Sequence, residues 1–426
     1  MNWLEQLKQL PREHLALCDI PADPGQVTLR GHEEPPEDAD LTRDEIDELW
    51  EHVEAVYRGG AHPAIQISIR CHGVEVMNRA IGHASGNGPG ELEAGIPLRP
   101  IGPDTPINLF SAAKPVAAMI VHWLDDAGVL QIDDRVADYI PEFGCLGKED
   151  ITLRHLMSHR AGIPAPPEGS FDLDLLGRPE KMVELLCTVE AETRPGEASA
   201  YHAITGGMII AEVVKRASGR TLRELADTEI RKPLGLSRLD FGVEEHEVDL
   251  VARNAATGPK LRGPFEDLIL HMIGARLDEV TDLSNDPRFL TGVVPSANLI
   301  TTAHDIGIFY QCLLNGGEYG GMRIFSEKIV RRARAIESKG QIDRRLLMPV
   351  AYSTGFMCGN SGLSLYGWNH PNAFGHLGLS NIFTWADPDR ALVVSLLTTG
   401  KAFLAPHVVP LLQLVSSIHD VFPEID

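Results

Sequence analysis

The sequence predicts an α+β protein in which one antiparallel sheet, flanked by helices, is assembled from both ends of the chain around a mostly helical lobe. Three observations predict it. Two β-rich runs near the N-terminus, "AIQISIRC" and "VEVMNRAIG", are separated by a His72-Gly73 turn and read as a hairpin. Strand-like runs return only after Pro295, at "YSTGFMC", "FTWAD" and "ALVVSLLTT". Between them, from Asp104 to about Pro287, the pattern is helical and loop-like. The boundaries that follow are an N-terminal extension and linker over 1–41, an α/β lobe from 42–103 and 288–426, and a helical lobe over 104–287. A ligand site is expected in the cleft between the lobes.

The elements follow in order. A short N-terminal helical piece comes first, and "GHEEPPEDAD" (Gly31 to Asp40), acidic and proline-bearing, reads as a linker after it. Thr42 and Glu45 form a T-x-x-E capping box, with Leu41 and Ile46 placed as a hydrophobic staple. Ile46, Leu49, Trp50, Val53 and Tyr57 then make one apolar helix face, which must pack on the hairpin sheet. In the helical lobe, "YHAITGGMIIAEVVKRASG" (Tyr201 to Gly219) is the clearest helix, ending in basic residues and a glycine. After Pro295, a capped "TTAHDIGIFYQCLLNGG" helix leads into the late strands, and an amphipathic helix near Val408 to Ser417 closes the chain.

With 426 residues, 43% hydrophobic and 23% charged, the chain is long enough for two lobes and has an ordinary soluble composition. A formal charge of −22 argues against nucleic acid or anionic membrane as partners, because both repel an acidic surface. The one basic run, "EKIVRRARA", is short and reads as the solvated face of a helix. Charges interrupt the N-terminal residues, so no signal peptide is expected, and no run approaches the roughly 20 apolar residues of a membrane span. Cys18, Cys71, Cys145, Cys187, Cys312 and Cys358 are scattered without CxxC pairs, which predicts reduced thiols and a cytoplasmic protein.

The chemistry is concentrated in "NLFSAAKPVAAMIVHWLDDAG" (Asn108 to Gly128). Proline is tolerated only near a helix start, so Pro115 places the start of this helix close to Ser111. Val116 to Leu124 is apolar almost all round, with His122 the exception, as in a helix through the middle of a protein. At i, i+3, Ser111 and Lys114 share a face of the first turn, close enough for the amine to take the hydroxyl proton. Burial and the positive helix end both favour the neutral amine that such a base needs. A capping serine with a solvated lysine would share the S-x-x-K pattern, but an amphipathic helix would then follow it.

Here the chain resembles the serine β-lactamase, DD-peptidase and esterase superfamily, in its class C β-lactamase-like branch. "FSAAKPVAA" is similar to the first motif, and "LDDAGVLQIDDRVADYIPEF" with "ITLRHLMSHRAGIP" to the segment after it. "RPGEASAYHAITGGMII" resembles the second motif and "FGHLGLSNIFTWADP" the third, so the likeness covers most of Ile65 to Leu397 in the family's order. It implies a β-lactamase/DD-peptidase-like fold and a cofactor-free acyl transfer through an acyl-enzyme. Ser111 would be the acylated nucleophile, Lys114 its base, and Tyr201 the phenol that relays protons to the leaving group and later to water. His376-Leu377-Gly378 would line the cleft, with the N–H groups of Leu379 and Ser111 forming an oxyanion hole.

Two departures point to an esterase-like member. Where relatives carry asparagine two residues after the tyrosine, this chain reads Tyr201, His202, Ala203, and His376 replaces the usual lysine. The amide that would hold a lactam or peptide side chain and the permanent cation that would grip a carboxylate are both lost. A carboxylesterase acting on short or medium acyl esters is therefore expected, with a lactam or amide hydrolase, an acyltransferase, or a catalytically silent binding protein as alternatives. Ser380-Asn381 replaces glycines found in many relatives.

Other residues carry less. His155 and His159 have zinc-like i, i+4 spacing but no glutamate base or third ligand, so no metal is expected. No G-x-S-x-G elbow and no glycine-rich phosphate loop occurs. Asp125, Asp126, Asp133 and Asp134 read as a solvated acidic turn. Tyr366, Trp368, Phe374 and Trp385 are expected to line an acyl pocket, and the extension before Thr42 to cover the cleft or a subunit surface.

Overall fold

The computed structural model describes residues 15–167, 172–175, 178–338 and 340–425. The N-terminal helical piece expected before them lies outside the described residues. The predicted hairpin forms from β2 (Ala64–Cys71) and β3 (Val74–Ser85). His72 and Gly73 take φ of 51° and 86°, so both turn residues are left-handed, as a turn matching the sheet's twist requires.

The joining of the two chain ends is the central feature. β9 (Leu392–Thr398) pairs antiparallel with β2, from Leu392 opposite Cys71 to Thr398 opposite Ile65. Outward from β9 come β8 (Ile382–Asp387), β7 (Phe374–Gly378), β6 (Met357–Cys358) and β5 (Ala351–Tyr352). On the other side, β3 pairs with β1 (Thr28–Arg30) and with the short β4 (Arg99–Pro100), completing a nine-stranded sheet.

β1 corrects the reading of the N-terminal segment as a linker. The strand extends the sheet, and the acidic residues after it are structural: Glu33 Oε1 accepts from Arg79 Nε at 2.6 Å and Glu34 accepts from the Glu75 N–H at 2.8 Å. Arg79 is fully buried, and its guanidinium also lies 5.4 Å from the Trp50 ring. Acidity and prolines suggest a linker, whereas here the acidity neutralises a buried cation on the adjacent strand.

One sheet face is covered by α1 (Arg43–Arg58) and α8 (Val408–Val421), which pack together. The Thr42/Glu45 capping box is present, and the predicted apolar face of α1 is buried. The other face carries α7 (Ala303–Leu314), against β2, β8 and β9, and then the helical lobe. Through that lobe runs α2 (Lys114–Asp126), buried from Pro115 to Val121, with His122 Nε2 at 3.0 Å from the Thr354 carbonyl. Around it lie α3 (Leu153–Met157), α4 (Pro179–Cys187), α5 (Thr205–Ser218) and α6 (Leu277–Leu283). Among the described residues no helix is long and apolar enough to cross a membrane.

Candidate active site

Ser111 is positioned by a short strand and a strained turn. Ile107–Asn108 pairs with Leu299–Thr301, and the Leu109 N–H donates to the Leu299 carbonyl at 2.9 Å. Phe110 then adopts φ 49°, uncommon for a bulky residue and costing about 1–3 kcal/mol. The chain passes through a 3-10 turn over Phe110–Ala113 before α2 begins at Lys114. The helix therefore starts at the lysine, and the serine lies in the tighter turn before it.

Lys114 Nζ lies 3.1 Å from Ser111 Oγ, 3.0 Å from the Ala203 carbonyl and 3.1 Å from the Ser296 carbonyl. Burial of the amine pushes it down to about 7. Its Nζ is also 4.8 Å from the centre of the Tyr201 ring. Tyr201 occupies the coil before α5, whose first residue is Thr205, so the predicted helix starts later than its sequence suggests. Burial pushes the Tyr201 phenol up, against a smaller downward pull from its hydrogen bond with Ser111. Two side chains with similar ordinary values are thus driven apart, the amine toward neutral base and the phenol toward retained proton.

His376 faces Tyr201 from β7, with ring centres 6.1 Å apart. Its Nδ1 lies 2.7 Å from the Leu377 carbonyl, which makes Nδ1–H the donor and leaves the buried Nε2 as an acceptor without a partner among the described residues. Burial holds it down to about 3, with a smaller push from Lys114, so the ring is neutral at pH 7. Gly378 ends β7 hard against the Ser111 turn, because a Cβ there would stand 2.4 Å from the Leu109 carbonyl oxygen. Leu379 follows it, half-buried against the main core. All six predicted site residues, Ser111, Lys114, Tyr201, His376, Gly378 and Leu379, therefore converge on one place.

Several neighbours named from the sequence have structural roles here, and one, Lys401, escaped sequence reasoning. His202 Nε2 accepts the Ile163 N–H at 3.2 Å, and His159 Nδ1 accepts the His202 N–H at 3.1 Å, so both histidines brace the segment that presents Tyr201. His159 lies beyond the end of α3 at φ 57°, which breaks the helical register with His155. Ser380 Oγ donates to the Gly400 carbonyl at 3.4 Å and Asn381 Nδ2 to the Ala402 carbonyl at 2.9 Å. These two residues thereby tie the hairpin after β7 to the segment carrying Lys401, whose buried amine stands over the Phe110 ring. A lone lysine closing the apolar run "ALVVSLLTTGK" was the available signal for it.

The four aromatics expected at an acyl pocket lie elsewhere. Tyr366 and Trp385 stack in the core shared with α1 and α8, and Phe374 packs edge-on to Phe356. Trp368 is 64% exposed, near His419 of α8. Trp385 stands opposite Gly375 and so faces away from His376, whereas Phe374 shares the face of His376 but packs on Phe356. The acidic residues are tie points: Asp133 pairs with Arg154 at 2.6 Å, Asp134 accepts from the Gln131 N–H, and Asp125 pairs with Arg332 of the basic run.

Comparison with known proteins agrees with this fold. A family model described as Beta-lactamase matches residues 43–411. The chain is 28% identical over 339 residues to "Esterase/beta-lactamase LipL" of Mycobacterium tuberculosis H37Rv, covering 75% of this chain and 73% of that one. Among solved structures, a family VIII carboxylesterase superposes with TM-score 0.73 at 28% identity, covering 87% of this chain and 97% of that one. A penicillin-binding protein homologue from Caulobacter crescentus superposes with TM-score 0.72 at 26% identity, covering 88% and 98%. The antiparallel sheet and the helical lobe thus have their counterpart in known proteins: the chain belongs to the beta-lactamase family of serine hydrolases.

Proposed function

We propose that this chain is a carboxylesterase for short to medium acyl esters, working through an acyl-enzyme on Ser111. The observation that carries the reading is the environment of Lys114. A neutral amine has two N–H groups and one lone pair; two carbonyls, of Ala203 and Ser296, accept the former, and the lone pair is left for the Ser111 hydroxyl. As Ser111 Oγ attacks the ester carbonyl, its proton passes to Lys114. The oxyanion that forms meets the N–H groups of Ser111 and Leu379. Tyr201 gives its proton to the departing alkoxide and is reprotonated from Lys114, and water then repeats the sequence on the acyl-enzyme.

The preference for esters rests on what the site lacks. Ala203 brings no amide to the position two after Tyr201, and the neutral His376 brings no fixed positive charge. A second reading, lactam hydrolysis, is favoured by the LipL relative, whose name pairs esterase with beta-lactamase. The substrate is a small-molecule ester or amide. The six cysteines are free thiols, which fits a cytoplasmic location.

The test compares the protein with Ser111→Ala on p-nitrophenyl butyrate and on a chromogenic cephalosporin, with mass spectrometry for an acyl adduct. Serine-dependent ester turnover with an adduct on the Ser111 peptide is expected. Equal or greater cephalosporin turnover would favour the second reading, and alcohol acceptors outcompeting water would redefine the enzyme as an acyltransferase. No turnover and no adduct on either substrate would count against the esterase reading and favour a silent binding protein.

A further inference from the structure

We propose that the acyl chain of the substrate is received by an apolar cavity behind the Ser111 turn, walled by Phe110, Ile204, Met208, Val280, Leu283 and Ala297. The proposal rests on Ser111 being the acylated residue. Three wall residues fix the cavity beside the reacting atoms. Phe110 directly precedes Ser111, Ile204 follows the Ala203 carbonyl and Ala297 follows the Ser296 carbonyl, and both carbonyls hold Lys114 Nζ. The cavity thus lies within one residue of the Ser111–Lys114 pair at three independent points of the chain.

Its chemistry selects an alkyl chain, because apart from the exposed Asp172 its wall is hydrocarbon or thioether. The enclosed space is about 60 Å³, and Met208 also borders a groove of about 690 Å³ between α4 and α5, so a longer chain has somewhere to go. Val280 and Leu283 are only half-buried, which makes α6 the outer wall. The acyl group belongs here rather than the alcohol, for a reason of position. Tyr201, the proton donor to the leaving alcohol, packs against His159 and His376, and none of the three forms part of the cavity wall. The acyl group remains on Ser111 Oγ after the alcohol has left, and so needs its own compartment.

The experiment measures kcat/KM over p-nitrophenyl esters from acetate to dodecanoate, and over butyrate esters of alcohols of increasing length. The protein, Ala297→Leu, Leu283→Ala and Ser111→Ala are compared, with thermal melts to confirm folding. In the unsubstituted protein each of the first few methylenes of the acyl chain is expected to raise kcat/KM about fourfold. Ala297→Leu fills the cavity and should lower the octanoate-to-acetate ratio about tenfold or more. Leu283→Ala widens the outer wall and should raise the ratio for the longest chains, an opposite effect that survives if the first variant fails to fold. Unchanged ratios in folded variants, or a shift confined to the alcohol series, would overturn the cavity assignment while leaving Ser111 in place. Turnover persisting in Ser111→Ala would overturn the proposal through its premise, and is read separately.

Discussion

Lys401 Nζ stands 4.8 Å from the centre of the Phe110 ring, the residue before Ser111, and its protein acceptor is the Thr398 carbonyl at 2.6 Å. A buried amine therefore props the ring of a residue held at φ 49°, and burial pushes that amine down to about 7. Replacing it by methionine should lower kcat about tenfold with little change in KM, because the turn presenting Ser111 loosens while substrate contacts remain. The same variant should be the more stable protein by about 1–3 kcal/mol at pH 7, since no ammonium need be buried. The sign can be checked by pH. The lysine is protonated in the unfolded chain and neutral in the folded one between about 7 and 10.5, so the stability of the unsubstituted protein rises across that window and the advantage of the variant shrinks. Unaltered kcat in a well-folded variant would remove the positioning role.

The base role proposed for Lys114 predicts an acid limb of activity. With the amine near 7, kcat/KM should fall about tenfold per pH unit below that value, because the protonated lysine has no lone pair for the Ser111 proton. His376, held down to about 3, adds no limb between pH 5 and 8. A rate flat down to about pH 5 would contradict the assignment of Lys114 as base.

Gly378 is required for close approach rather than for an unusual φ. An alanine Cβ would meet the Leu109 carbonyl at 2.4 Å and Ile382 Cβ at 2.8 Å, so β7 must move away from the Ser111 turn. Gly378→Ala is expected to cost about 100-fold in kcat, as a displacement near 1 Å does in a positioned site, and retained activity would show that the strand and turn move together.

The N-terminal segment contributes to stability. Glu33→Gln leaves the buried Arg79 guanidinium short of its closest counter-charge, with Asp47 remaining at 3.2 Å. A loss of about 3 kcal/mol is expected in urea unfolding, with kcat unchanged. A loss below about 1 kcal/mol would mean that Asp47 alone neutralises the arginine.

Trp368, expected from sequence to line the acyl pocket, lies on the surface beside His419 of α8. Trp368→Ala should therefore leave the acyl-chain length profile unchanged in the p-nitrophenyl ester series. A shortened profile would bring this tryptophan back into the substrate path.

What the sequence by itself determined was local and periodic. The capping box at Thr42, the two left-handed turn residues at His72-Gly73 and the apolar run after Pro115 each follow from contacts within a few residues, so they were legible without a fold. The alternation of strands and helices also fixed which ends of the chain share a sheet. The six residues proposed for the site could be named because their motifs resemble a family pattern in order. The tertiary structure decided what depends on residues distant in sequence. That Glu33 serves Arg79, that Ser380 and Asn381 hold the segment bearing Lys401, and that carbonyls of Ala203 and Ser296 orient Lys114 are relations across 46, 20 or 21, and 89 or 182 positions. The direction of each aromatic near β7 was decided there too, because a strand's two faces differ only in what packs against them. Burial itself, which moves Lys114 and Tyr201 in opposite directions, is a property of the assembled core and not of any short stretch of chain.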